Sequence, residues 1–285
     1  MWVQTSGFHV SATRRLLASA TARLAAAGIE TPRVDAELLL SHVLGVSRAR
    51  LTTIDDVAED AAATFAAALA RRVERVPLQH ITGATPFRHI ELAVGPGVFV
   101  PRPETELLVD ALLHLPDTSV VVDLCSGSGA IALAIADEVV GARVLAVERD
   151  PAALHWLRRN AVGSAVEVVV GDVRDEALLA ELRGCVDAVV CNPPYVPAAS
   201  TVAPEVRHDP DTAVFAGTDG LALIPHVIAR AAELLKAGGT FAVEHDDTHE
   251  HAVPALLAED GRWSEIVEHH DLAGRPRYVT ATRTT

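Results

Sequence analysis

The sequence predicts an α/β protein in which an N-terminal helical bundle precedes a mostly parallel sheet that ends in an antiparallel hairpin. Three observations carry this. From Ser11 to about Glu74 the apolar residues recur at helical spacing. Five apolar runs then alternate with helix-length segments, the pattern of strands buried on both faces of a sheet. The last two strand-like runs, WSEIVEHH and RYVTATR, have only DLAGRP between them, which joins them as a hairpin.

In the first helix Leu16, Leu17, Ala20, Leu24 and Ala25 form the apolar stripe, and Gly28 stands where a left-handed C-cap belongs. Thr31-Pro32 restarts a helix, with a hydroxyl to cap it and proline in its first turn. Residues 1–83 are read as a helical domain and 84–106 as a linker. The linker is rich in Pro and Gly, and its alternating run from Ile90 to Val94 suggests a hairpin. Residues 107–285 carry the apolar runs SVVVDL, ARVLAVE, VEVVVGD, CVDAVVCN and TFAVEH.

Bulk composition narrows the function. The chain has 285 residues, 49% of them hydrophobic and 22% charged, as expected of a well-cored globular protein, with an aliphatic core because aromatics are only 4%. A net charge of −14 disfavours nonspecific grip on a phosphate backbone, where Lys and Arg clusters supply the affinity. Cys125, Cys185 and Cys191 show neither an even count nor a metal-type spacing and read as free thiols in a reducing cytosol. The opening MWVQTSGFHV lacks the pattern of a secretory signal, and no apolar window approaches the roughly 20 residues of a membrane span. A cytoplasmic protein is expected.

The chemistry gathers at strand ends. The first run leads into DLCSGSGAIALAIA, where Cys125, Ser126, Gly127, Ser128 and Gly129 make a glycine-rich turn before a helix N-terminus, suited to a nucleotide-like ligand or to tight packing. The second run ends at Glu148, an acid able to accept from both hydroxyls of a ribose. The third ends at Asp172-Val173, which places an acid over an adenine amino group. Either acid alone could be an ordinary helix cap. The fourth ends in Asn192-Pro193-Pro194-Tyr195. Two prolines remove two N–H donors and fix two φ angles, so this turn is rigid and rich in unoccupied acceptors. An Asn amide before it and an aromatic ring after it complete a pocket for a planar group bearing N–H donors. In an open α/β sheet all four strand ends face one crevice.

The chain resembles the release-factor glutamine methyltransferase family (HemK/PrmC type) over nearly its whole length. The resemblance lies in PLQHITG (77–83), VPRPETE (100–106), DLCSGSGAIALA, NPPY, EVRHDPDTAVFAGTDGL (205–221) and DLAGRPRYV. Cys125 stands where the family often has glycine, and Asp246 and His249 where Gly and Gln are expected. The resemblance implies a Rossmann-like domain using S-adenosyl-L-methionine, with S-adenosyl-L-homocysteine as product. It also implies transfer to N5 of the glutamine in the Gly-Gly-Gln loop of bacterial class-I peptide chain release factors, and a PRPETE segment that closes over the cofactor. Asn192 and Pro193 would then orient the amide while Tyr195 stacks on it. Arg102 is read as a substrate-binding residue able to pair with a carboxylate, or as the partner of Glu104 or Glu106 on the surface. No metal is expected. The His-rich HDDTHEHAV, with His245 and His249 four apart, reads as solvated helix-start residues, and His269-His270 as part of a strand. Two rival readings are an adenine methyltransferase, which shares NPPY, and a docking module that binds S-adenosylmethionine without catalysis.

Overall fold

The structure, a computed structural model, describes residues 11–285. The opening stretch read for a signal lies outside the described residues. Two compact units divide the chain, residues 1–83 and 84–285.

The first unit contains α1 (Ala12–Ala26), α2 (Pro32–Leu44), α3 (Glu59–Val73) and the short α4 (Leu78–Thr82). Ser11 caps α1 by accepting from the Arg14 N–H. Ala20 and Leu24 turn inward with Leu39, Leu40, Phe65 and Leu69, and Leu16 and Leu17 pack against them. Ala25 is exposed, because one step beyond Leu24 turns about 100° around the helix. Thr31 does not cap α2 as expected. Its hydroxyl donates to Asp35 Oδ1 at 2.8 Å, while Asp35 Oδ2 accepts from Arg72 Nε at 2.7 Å. Both members of this ion pair are buried, and it ties α2 to α3. The Thr31 hydroxyl thus serves a tertiary contact. Gly28 takes the left-handed φ of +74° just past the helix end, as its position required.

The second unit opens with β1 (Ala84–Phe87) and β2 (Ile90–Ala93), an antiparallel hairpin. Residues 84–106, expected as a hairpin linker, pack into this unit, with Phe87, Leu92, Val94 and Val98 buried in its core. Arg88 at the hairpin tip pairs with Glu138 and Asp110. After α5 (Glu106–Asp110) comes the strand-helix alternation β3 (Val120–Leu124), α6 (Ala130–Glu138), β4 (Arg143–Glu148), α7 (Pro151–Asn160), β5 (Glu167–Val170) and β6 (Val186–Cys191). Then follow α8 (Asp211–Val214), α9 (Ile224–Leu234), β7 (Leu235–Glu244), α10 (Ala252–Asp260), β8 (Trp263–His270) and β9 (Pro276–Arg283).

The seven strands lie in the order β5-β4-β3-β6-β7-β9-β8, parallel except for β9, which runs antiparallel to both neighbours. Successive strand residues point to opposite faces, so Val121, Val144 and Val190 pack on one side with α6 and α7, and Val122, Leu145 and Val189 on the other with α9 and α10. Two covered faces explain why the strands read as unbroken apolar runs. The chain winds outward from β3 to β5 and then returns to place β6 on the other side of β3. The switch point therefore falls between β3 and β6, where Leu124 lies opposite Cys191. Among the described residues no helix is long and apolar enough to cross a membrane.

The Asp35–Arg72 pair sets a test of the first unit. Asp35→Ala leaves a buried guanidinium without its carboxylate and should destabilise the fold by about 3–5 kcal/mol, measured by urea unfolding followed by circular dichroism.

Candidate active site

A cleft of about 320 Å³ lies along the carboxyl ends of β3, β4, β5 and β6. Cys125, Ser126, Gly127, Ser128, Glu148, Asp172, Val173, Asn192, Pro193, Pro194, Tyr195 and Arg102 all line it. Gly129 does not. It takes φ +88°, and a Cβ there would come within 2.6 Å of Leu157 Cδ1, so this glycine serves the packing of α7 on the loop.

At the nucleotide-like end the loop after β3 turns through left-handed geometry at Cys125 (φ +62°) and Gly127 (φ +56°). A side chain at Gly127 would meet nothing within 4 Å, so the backbone faces open cleft. Glu148 is buried and holds the loop, accepting from Gly127 N–H at 2.9 Å through Oε2 and from Arg149 and Asp150 N–H at 2.7 and 2.8 Å through Oε1. A carboxylate offers about four acceptor positions, so Glu148 keeps capacity for a ribose hydroxyl. Asp172 accepts from Arg174 at 2.9 and 2.5 Å and from Arg149 at 3.1 Å. Hydrogen bonds from Arg174 lead in holding its carboxyl well below the ordinary carboxylate range. The bare backbone at Gly127, the acid at the end of β4 and the apolar walls of Ile131, Val147 and Val173 together fit a nucleoside.

Beneath the loop lies Asp123, fully buried, with Oδ2 accepting from Ala132 N–H at 3.3 Å in the first turn of α6 and Oδ1 without a partner. Burial pushes its carboxyl up to about 7.

The other end of the cleft is the Asn192–Tyr195 turn. Its peptide bonds are trans. Asn192 Nδ2 donates to Thr105 Oγ1 at 3.0 Å, which commits the nitrogen end of that amide and leaves the oxygen end to accept. Among the described residues no donor reaches the Pro193 carbonyl. Tyr195 donates its hydroxyl to Glu244 Oε1 at 2.8 Å. The turn is clamped from behind, where Val196 N–H donates to the Val214 carbonyl and Ala216 N–H to the Val196 carbonyl, both at 2.9 Å. Gly220 passes so close that a Cβ would lie 2.2 Å from the Tyr195 carbonyl oxygen. His249 Nε2 donates to the neighbouring Asp219 carbonyl at 2.8 Å and steadies that approach.

Several expectations are revised. Arg102 pairs with neither Glu104 nor Glu106 but with Asp209 at 2.7 Å, its guanidinium lying 4.8 Å from the centre of the Phe99 ring. Burial raises the Asp209 carboxyl to about 6 against the opposing pull of Arg102. His245 and His249 are buried, not solvated. His245 sits between the Asp246 carbonyl and Glu268 at 2.9 and 3.0 Å. No group of His, Cys, Asp and Glu among the described residues could hold a metal ion. His269 lies in β8, stacked on Tyr278 at 4.5 Å. Thr105, Asp123, Asp209 and Glu244 were not singled out from the sequence. Glu244 ends the strand in TFAVEH and, like Glu148, is an acid at the carboxyl end of an apolar run.

Comparison with known proteins gives two family matches, the PrmC N-terminal domain over residues 15–83 and the methyltransferase small domain over residues 90–208. A release factor glutamine methyltransferase of Mycolicibacterium smegmatis is 51% identical over 95% of this chain and 97% of its own length. The enzyme of the same name in Streptomyces coelicolor is 49% identical over 94% and 96%, and that of Deinococcus radiodurans 40% identical over 95% and 98%. Among solved structures, the T. thermophilus 16S rRNA N2 G1207 methyltransferase in complex with AdoMet and guanosine matches with a TM-score of 0.50 at 25% identity. That match covers 70% of this chain and 49% of the other.

The buried acid Asp123 gives a pH dependence. Its carboxyl is raised from 3.8 to about 7 on folding, so between those values the folded state holds a proton that the unfolded state has lost. Stability must therefore fall as pH rises from about 4 to about 7 and stay low above. Asp209, raised to about 6, adds to the same trend. Asp123→Asn should flatten it, with melting temperatures of variant and parent, without added ligand, diverging in the variant's favour from pH 5 to pH 8. A shift of about three units at ~1.4 kcal/mol each sets a ceiling of ~4 kcal/mol.

Proposed function

The chain belongs to the family of release factor glutamine methyltransferases, and on that premise we propose that it methylates N5 of the glutamine in the Gly-Gly-Gln loop of bacterial class-I peptide chain release factors, using S-adenosyl-L-methionine. The observation that carries the reading is the turn Asn192–Tyr195, whose free acceptors face a cleft already suited to a nucleoside.

Bound in that cleft, S-adenosylmethionine supplies an electrophilic methyl on a sulfonium. Glu148 would accept from its ribose and the loop 125–128 would lie along it, while Asp172, whose four acceptor positions are taken by Arg174 and Arg149, would accept from its adenine amino group on releasing one of those arginine contacts. The residues at the other end address a different difficulty. An amide nitrogen is a poor nucleophile because its lone pair is delocalised into the carbonyl, so it must be held in line and helped to pyramidalise. Asn192 Oδ1 and the Pro193 carbonyl each accept one N–H of the glutamine amide, and both contacts strengthen as positive charge develops on nitrogen. Tyr195 lies against the amide plane. The new N–C bond forms as the S–C bond breaks, and the surplus proton, acidic on a cationic nitrogen, leaves to solvent without a dedicated base. Arg102, held by Asp209, borders the same cleft and is assigned to the substrate side.

A glutamine side chain carries little binding energy of its own, so choosing one residue in one protein needs contacts remote from the reacting nitrogen. We assign that recognition to the helical residues 1–83, with residues 84–285 carrying the chemistry. We place the enzyme in the cytoplasm, where release factors act.

Three arms test the reaction: the full chain with labelled S-adenosylmethionine and purified release factor, with duplex DNA, or with neither. Label should appear on the release factor, at the glutamine by peptide mass spectrometry. Label on DNA instead would make the same turn an adenine site. Asn192→Ala should lower turnover on the order of 10²-fold with cofactor affinity retained, and near-normal turnover would sink the mechanism. In Glu148→Ala the defect should fall on cofactor affinity by calorimetry, at about 1.5–3 kcal/mol for each hydrogen bond lost to the charged acceptor. An unchanged dissociation constant would return Glu148 to a purely structural role.

A further inference from the structure

We propose that Glu244 is a positioning residue for the transfer, fixing from the end of β7 both side chains that face the amide, Tyr195 through its hydroxyl and Asn192 through Thr105. The proposal rests on the reading of the Asn192–Tyr195 turn given above and adds a residue that does not touch the substrate.

The placement follows from the sheet. Val243 lies opposite Cys191 in the β6–β7 pair, so Glu244, one step further, stands level with Asn192 at the same edge. Its carboxylate is 1% exposed and does not line the cleft. Oε1 accepts the Tyr195 hydroxyl at 2.8 Å. Oε2 is buried without a hydrogen-bond partner. Beside it lies Thr105, also buried, whose oxygen already accepts from Asn192 Nδ2 at 3.0 Å. A threonine hydroxyl that accepts from an amide still has one proton to give, and the proposed arrangement turns it to the unpartnered Oε2 of Glu244 beside it. Arg277 is the neighbouring cation, with Glu104 a second acid nearby.

Burying a carboxylate is costly, and an apolar side chain would fill the same space without that penalty. What an apolar residue could not do is accept two protons in fixed directions. The Tyr195 hydroxyl is suited to the donor role, since burial and the adjacent carboxylate push it well above its ordinary value and keep it protonated. With the hydroxyl held, the ring cannot swing. With Thr105 held, the Asn192 amide cannot flip and offer its nitrogen to the substrate. Each motion would remove a transition-state contact while leaving the nucleoside end of the cleft intact.

The test compares the full-length wild type with Glu244→Ala, Glu244→Gln, Tyr195→Phe and the Glu244→Ala/Tyr195→Phe double variant. It is run on whichever substrate the three-arm assay labels. Glu244→Ala should lower kcat about 10–100-fold with the dissociation constant for S-adenosylmethionine within about twofold of wild type. Glu244→Gln, whose side-chain oxygen can still accept from Tyr195, should recover most of the loss. Because Glu244 acts in part through that hydroxyl, the double variant should fall short of the product of the two single losses. A kcat for Glu244→Ala within twofold of wild type overturns the proposal, as does a loss that tracks cofactor affinity or full multiplication in the double variant. Should Glu244→Ala fail to fold by near-ultraviolet circular dichroism, Tyr195→Phe and Thr105→Val carry the test. Each removes one of the two links and should lower kcat about 3–10-fold, and wild-type rates in both overturn it. Release factor left unlabelled by the wild type while DNA is labelled sinks the substrate assignment alone. A wild type that labels nothing sinks both.

Discussion

An amide nitrogen offers almost no basicity, and the acceptor end of the cleft answers to that constraint. The site has position to contribute, and position requires that the Asn192–Tyr195 turn not move. Two prolines stiffen it from within. The strand-like bridge between Val196 and Phe215 holds it from behind, and Gly220 presses against the Tyr195 carbonyl where no other residue would fit. His249, on a separate segment, secures the carbonyl just before Gly220. Two stretches distant in sequence, around Val214–Gly220 and at His249, thus converge on one turn.

The nucleoside end obeys a different rule. There the backbone turns sharply around the open cleft, and the turns are held by acids. Glu148 takes three backbone donors and Asp123 one, and both are buried for that purpose. Buried acids make the scaffold less stable than it could be. The loss is the ordinary cost of preorganising polar groups where water would otherwise compete.

Much of this was readable from residues alone. Apolar runs separated by helix-length segments gave the sheet, because strands covered on both faces have no polar side to show. Acids at the ends of two strands and NPPY at a third marked the crevice, because strand ends in such sheets have no other common neighbour. What escaped the reading was side-chain pairing across long separations. Nothing near Thr31 indicates that its hydroxyl would turn to Asp35, since the reason lies 37 residues from Asp35, at Arg72. Arg102 had two acids close by in sequence, yet Asp209, 107 residues away, is the one desolvated enough to hold it. His245 and His249 looked solvated because their neighbours are polar, but His245 directly follows the central strand β7 and His249 is buried against the Asp219 carbonyl. Gly129 was grouped with the ligand loop, and only the position of Leu157 reveals that it serves packing.

Cys125 stands apart within the loop, a side chain in left-handed geometry where a glycine would sit without strain. Cys125 is half-buried and lines the cleft beside the buried Cys191 at the end of β6, and Cys185 is exposed away from the cleft lining. The molecule therefore carries its own occupancy gauge: a thiol-directed reagent meets one cysteine that a ligand can shield and a second that gives a constant reference. Occupation of the nucleoside end can be read from the ratio of the two adducts in unaltered protein, with no label introduced and no turnover required.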